Sequence, residues 1–107
     1  MALGEVEHLV LLALLRLDQD AYGVAIMDEI TGRTGREVSR PAVYIALRRL
    51  EGKGLVSSRL GEPTPERGGR AKRYFTLERA GLRALQDSRA ALLRMWNRHE
   101  PLLDKRR

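Results

Sequence analysis

Apolar residues recur at helical spacing near the start of the chain. Val6, Leu9, Val10, Ala13, Leu14 and Leu17 follow the i, i+3, i+4 rule, which predicts a helix from Gly4 to Leu17. Leu11, Leu12 and Leu15 are apolar as well. A helix greasy on more than one side is buried on more than one side. In a chain this short, the second surface is expected to meet another subunit. After a polar turn at Asp18 to Ala21, Val24, Ile26, Met27 and Ile30 form the apolar face of a second helix, from about Tyr22 to Thr34. Gly35 stands where a left-handed cap is expected. Ser39 as N-cap and Pro41 in the first turn open a third helix that runs to Lys53, before Gly54. The segment "GREVS" between these helices is the size of a helix-turn-helix connection.

Leu55 to Leu60 then changes period and reads as a strand, and "RYFTL" (Arg73 to Leu77) as a returning strand. Gly61 to Lys72 between them is an arm, whose prolines and glycines rule out regular pairing toward its tip. From about Glu78 the chain is helical again until Pro101. Leu82, Leu85, Arg89, Leu92, Trp96, His99 and Leu103 alternate three and four apart, a heptad seam with two polar interruptions. A helix of about 22 residues reaches on the order of 33 Å, further than a body of this size buries by itself. Dimerisation through this helix, supported by the first, is therefore expected, with Leu11, Leu82, Leu85, Leu92 and Trp96 at the interface.

At 107 residues the chain suits one structural unit. The net charge is +6, but its distribution says more: residues 1–32 carry −5, residues 33–73 carry +7 and residues 74–107 carry +4. An acidic end and a basic middle make a field arranged for a polyanion. Arg outnumbers Lys seventeen to three, which an Arg-rich composition explains; the clustering it does not. The absence of cysteine excludes disulfides and thiolate metal sites. The run "LVLLALLRL" is too short to span a bilayer, and neither a basic leader nor a small-residue cleavage site accompanies it. A cytoplasmic protein without membrane association is the expectation.

Placing the third helix at 100° steps sends Val43, Ala46, Leu47 and Leu50 to one side, toward a core. The opposite side carries Pro41, Tyr44, Ile45, Arg48 and, at its edge, Arg49, with Arg40 in the first turn. That mixture suits a helix lying in a major groove. Arg pairs bidentately with guanine, Ile touches a thymine methyl, and Ser39 and Tyr44 hydrogen-bond phosphate oxygens. In the arm, Arg67, Arg70, Lys72 and Arg73 surround Gly68 and Gly69, where the missing Cβ atoms permit close approach to another surface. His8 and His99 are too isolated to suggest a metal, and no serine has a neighbouring His and carboxylate to make it a nucleophile. Neither an enzyme nor a cofactor is expected.

Three helices, a strand, a basic arm and a strand are in the order of a winged helix, a mainly α fold with a small β-hairpin (α+β), here with a long C-terminal helix for dimerisation. Residues 1–77 read as the winged-helix DNA-binding part and 78–107 as the dimerisation helix and tail. "EHLVLLALL", "AYGVAIMDEI", "SRPAVYIALRRLEGKGLVSSR" and "ERGGRAKRYFTLERAG" resemble the PadR family of bacterial transcriptional regulators across most of residues 3–85. The resemblance implies a homodimeric regulator, more often repressor than activator, whose third helix and wing engage a palindromic operator in double-stranded DNA. It implies groove and phosphate contacts from Ser39, Arg40, Pro41, Tyr44 and Arg48, and a place for Tyr22 near a phosphate at the positive end of the second helix. Glu78 departs from the Ser or Thr that often caps the last helix in the family. Arg40-Pro41 departs from the commoner small-residue and Gly pattern, which bears on the operator sequence. Trp96, preceded by Met95, reads as an interface anchor or as the wall of a pocket that stacks on a planar aromatic effector. The alternative function is a winged-helix interaction module that uses its basic face for an acidic protein partner.

Overall fold

The computed structural model describes residues 3–63 and 71–97. Its elements are α1 (Glu5–Leu17), α2 (Gly23–Thr34), α3 (Arg40–Gly52), β1 (Val56–Leu60), β2 (Arg73–Leu77) and α4 (Arg79–Trp96), with a 3-10 turn at Asp18–Asp20. β1 and β2 pair antiparallel, with Val56 opposite Leu77 and Leu60 opposite Arg73. This is the α+β winged-helix order that the hydrophobic pattern predicts.

The core forms where the periodic faces of the first three helices converge and the hairpin closes over them. Val10, Leu11 and Leu14 from α1, Ile26 and Ile30 from α2, and Val43, Leu47 and Leu50 from α3 are all buried. Val56 and Phe75 of the hairpin and Leu85 of α4 complete the same cluster. Burial of each large side chain here contributes about 1.5–3 kcal/mol.

Two residues expected at a dimer interface belong to this core instead. Leu11 is 0% exposed and Leu85 is 4% exposed, both enclosed by the chain's own side chains. On α1 the inward wedge between α2 and α3 takes Val10, Leu11 and Leu14, so the outward surface falls to Leu12 and Leu15, 38% and 53% exposed.

The turns are made as their residues suggest. Gly35 caps α2 in the left-handed region (φ 70°). Ser39 Oγ accepts a hydrogen bond from the Ala42 N–H at 3.2 Å, and Pro41 lies in the first turn of α3. Two polar contacts pin α1 to its neighbours. The Glu7 carboxylate accepts from the Gly4 N–H at 2.8 Å and from Lys53 Nζ at 3.1 Å, joining the start of α1 to the end of α3. Burial pushes the Glu7 pKa up, but the Gly4 hydrogen bond, Lys53 and Arg49 outweigh it and leave the group below the ordinary glutamate value. On the other side, His8 Nδ1 lies 2.7 Å from Ser88 Oγ of α4, and burial lowers the histidine's pKa.

α4 spans 18 residues and ends at Trp96, short of the expected stop at Pro101. Asn97 leaves the helical region (φ −54°, ψ 121°) while its N–H closes the last turn on the Leu93 carbonyl. Pro101, and with it His99 and Leu103 of the expected seam, lies outside the described residues. No helix among the described residues is long and apolar enough to cross a membrane.

Candidate nucleic-acid interface

α3 is split lengthwise. Val43, Ala46, Leu47 and Leu50 are buried, while Ser39, Arg40, Pro41, Tyr44, Ile45, Arg48 and Arg49 are exposed. Ile45 is 53% exposed and Tyr44 41%, although nothing in their own hydrophobicity favours contact with water. An outward helix face holding Arg, Tyr and Ile side by side offers cations, a hydroxyl and an apolar contact within two turns. The Ser39 oxygen is engaged as an acceptor by its own cap, which leaves its O–H free to donate.

Tyr44 is held by a residue that neither periodicity nor charge marks out. Gly23, the first residue of α2, is buried beneath it: a β-carbon there would overlap the Tyr44 hydroxyl and ring. The missing side chain is what allows the phenol to lie across the start of α2, so the outward face of α3 meets the positive end of α2 at this point. The "YG" pair in "AYGVA" was the only available signal.

A cleft lies between α3 and the hairpin, lined by Tyr44, Arg48 and Glu51 on one side and Ser58, Arg73 and Phe75 on the other. Arg73 donates to Ser58 Oγ at 3.1 Å, and Ser58 in turn donates to Glu51 Oε2 at 2.7 Å. This relay crosses from β2 through β1 to the last turn of α3. It brings Arg73, a cation of the wing, to the same cleft as Arg48 of α3.

At the base of the wing, Tyr22 is extended (φ −112°, ψ 164°) and forms an isolated antiparallel bridge with Tyr74. The two rings meet edge to face with centroids 5.8 Å apart. Lys72 Nζ sits 4.4 Å from the centroid of the Tyr22 ring, and the Arg59 guanidinium carbon 4.9 Å from that of Tyr74. Arg67, Gly69 and Arg70, also expected to touch nucleic acid, lie outside the described residues.

The exposed apolar side chains are concentrated on α4. On α4, Leu82, Leu92, Leu93, Met95 and Trp96 are 37%, 52%, 48%, 75% and 41% exposed. On α1, Leu12 and Leu15 are exposed as well. Leu82, Leu92, Met95 and Trp96 are expected on this surface; Leu93 joins them. Among the described residues no group of His, Cys, Asp and Glu is placed to hold a metal.

A three-helix core carrying a two-stranded wing, with a basic outward face on the third helix, defines a winged helix-turn-helix protein. The chain matches the model of the transcriptional regulator PadR-like family over residues 11–87, and it belongs to that family. Its backbone is similar to that of a PadR family transcription regulator from Clostridium difficile, at 20% identity and a TM-score of 0.69 over 95% of this chain and 97% of that one. It is also similar to a PadR family transcriptional regulator from Eggerthella lenta, at 28% identity and a TM-score of 0.69 over 89% and 80% of the two chains. A transcriptional regulator from Clostridium thermocellum shares the fold at 22% identity, with a TM-score of 0.70 over 94% and 87%. No curated protein matches this sequence. DNA-binding transcriptional regulation is the function of the family.

Proposed function

We propose that the protein is a cytoplasmic, homodimeric repressor that binds a palindromic operator and is released by a small planar aromatic effector. The carrying observation is that Tyr44 and Arg48 of α3 share one cleft with Arg73 of the wing, so groove-reading and backbone-binding groups act on one duplex. Arg40 and Arg48 would pair with guanine edges and Ile45 would meet a thymine methyl. Ser39, Tyr44 and Tyr22 would bond phosphate oxygens around the start of α2, where Pro41 keeps the first turn of α3 close. Lys72, together with Arg67, Gly69 and Arg70 of the arm, would follow the backbone with little regard to sequence.

Residues 1–77 supply the reading surface and residues 78–107 the dimerisation unit in this proposal. Leu82, Leu92 and Trp96 meet a second copy, with Leu12 and Leu15 of α1 beside them. Two copies related by a two-fold axis would set their reading helices about 34–36 Å apart, one turn of DNA. Met95 and Trp96 would face the effector.

The test is to incubate the purified protein with fragmented genomic DNA, recover what it retains and sequence it. Enrichment of one or a few inverted repeats is expected. Retention of no fragment, or of all fragments equally, would contradict the proposal. Trp96 fluorescence followed during titration of aromatic compounds checks the effector: a compound that releases DNA should quench or shift it.

A further inference from the structure

A two-stranded hairpin is marginal by itself, yet a wing that positions cations must hold a fixed angle to the reading helix. On the inner face of this wing Phe75 is buried in the core. The other face carries Tyr74, with Lys72 two residues before it and Arg59 directly opposite. The wing is tied to the helical body by the Ser58–Glu51 hydrogen bond and by the Tyr22–Tyr74 bridge, in which the Phe75 N–H donates to the Ala21 carbonyl at 2.7 Å. The Tyr22–Tyr74 ring contact adds a side-chain tie at the same place.

We propose that Tyr74 is a positioning residue of the DNA interface: its ring, seated on Gly61 and edge-on to Tyr22, locks the wing to the start of α2 and so aims Lys72 at the DNA backbone. This rests on the DNA-binding reading above. The seat is specific, because a β-carbon on Gly61 would stand 2.5 Å from the Tyr74 ring. The Gly61 N–H also donates to the Lys72 carbonyl at 2.7 Å, which fixes the backbone of Lys72 across from that seat. Tyr22, edge-packed on Tyr74, offers its own face to the Lys72 ammonium, and a cation over a ring face is attracted by the ring quadrupole. Both Lys72 and Arg59 remain exposed. They are held in place but open, so a phosphate meets a cation whose side-chain freedom is already reduced.

The experiment compares Tyr74→Leu, Gly61→Ala and Tyr74→Phe with the unchanged protein. Binding to duplex DNA is measured across a salt series, and amide hydrogen exchange is followed in the wing. Tyr74→Leu removes the ring, and Gly61→Ala pushes it from its seat while keeping it in the chain; the second variant carries the test if the first does not fold. Both should speed exchange of the wing amides. Both should also make the log–log salt slope shallower by roughly 1.8, the share of one phosphate contact in each of two copies, while discrimination between an operator and a single-base mismatch stays as before. Tyr74→Phe, which restores the ring, should restore both readouts. A lower melting temperature with an unchanged slope would reduce Tyr74 to a packing residue and overturn the proposal. So would loss of base discrimination in place of the slope. If the unchanged protein ignores duplex DNA, the DNA-binding reading falls, and this proposal falls with it.

Discussion

The two exposed faces of the molecule break the rules of a solvated surface in opposite ways. The face of α3 mixes Arg40, Arg48 and Arg49 with Tyr44 and Ile45, and it continues into Arg73 of the wing. The face of α4 shows Leu82, Leu92, Leu93, Met95 and Trp96. A cationic face with a few apolar contacts matches a hydrated polyanion that also carries methyl groups and base edges. A face that clusters large apolar side chains matches a partner that excludes water. One chain thus presents two surfaces with different chemistry, and the proposed function needs both, since a palindrome is read by two copies.

The largest effect is expected from breaking the apolar face. Leu92→Asp should raise the dissociation constant of the dimer at least about a hundredfold, or about 3 kcal/mol, because a two-fold interface loses the leucine twice. Sedimentation velocity measures it, and a dilute wild-type protein that already runs as a monomer would refute the assignment. Arg48→Ala leaves the dimer intact and should cost about 1–3 kcal/mol of operator affinity, with relaxed preference at one base pair. Equal weakening on every sequence would move Arg48 from base reading to backbone contact. Lys72→Ala should act in that second way, weakening all sequences alike and lowering the salt slope by about 1.8, one contact from each copy.

The smallest effect concerns stability, which both faces share. Glu7 holds its proton less tightly in the fold than in the unfolded chain. Its contribution is therefore complete at neutral pH and is lost as acid brings the pH down through the folded pKa. His8 is also lowered by burial, so its contribution begins to fall away earlier, as the pH drops below the ordinary imidazole range. Melting temperature followed from neutral to acid pH should decline in that order, and Glu7→Gln should flatten the more acidic limb.

How legible each part was follows from the range of the forces that form it. α3 could be read almost entirely: the Ser39 cap and Pro41 are local signals, and the apolar residues between Val43 and Leu50 recur at one period. The strand "RYFTL" stood out for the same reason, with boundaries that coincide with β2. α1 defeated the pattern because Val10, Leu11, Leu12, Leu14 and Leu15 surround the helix, and periodicity does not say which side its own core will take. Leu11 therefore reads as outward although the chain encloses it, and on α4 the heptad seam carries Leu85 outward although the core takes it. The end of α4 at Trp96 is hard to read because Asn97 is a weaker stop signal in the sequence than Pro101. At the interface, single residues were legible and their mutual supports were not. The seats of Tyr44 on Gly23 and of Tyr74 on Gly61 join residues far apart in the chain, and no short-range pattern encodes them.

In the proposed function, α3 and the base of the wing make one continuous platform for duplex DNA. The most direct test is the affinity of the purified protein for a recovered genomic fragment and for random duplex of equal length, each measured across a salt series. A log–log slope of roughly −3.6 or steeper is expected, from Lys72 and Arg73 in each of two copies, with a preference for the recovered fragment that persists as salt rises. An affinity that ignores salt, or that is the same for both DNAs, would contradict it.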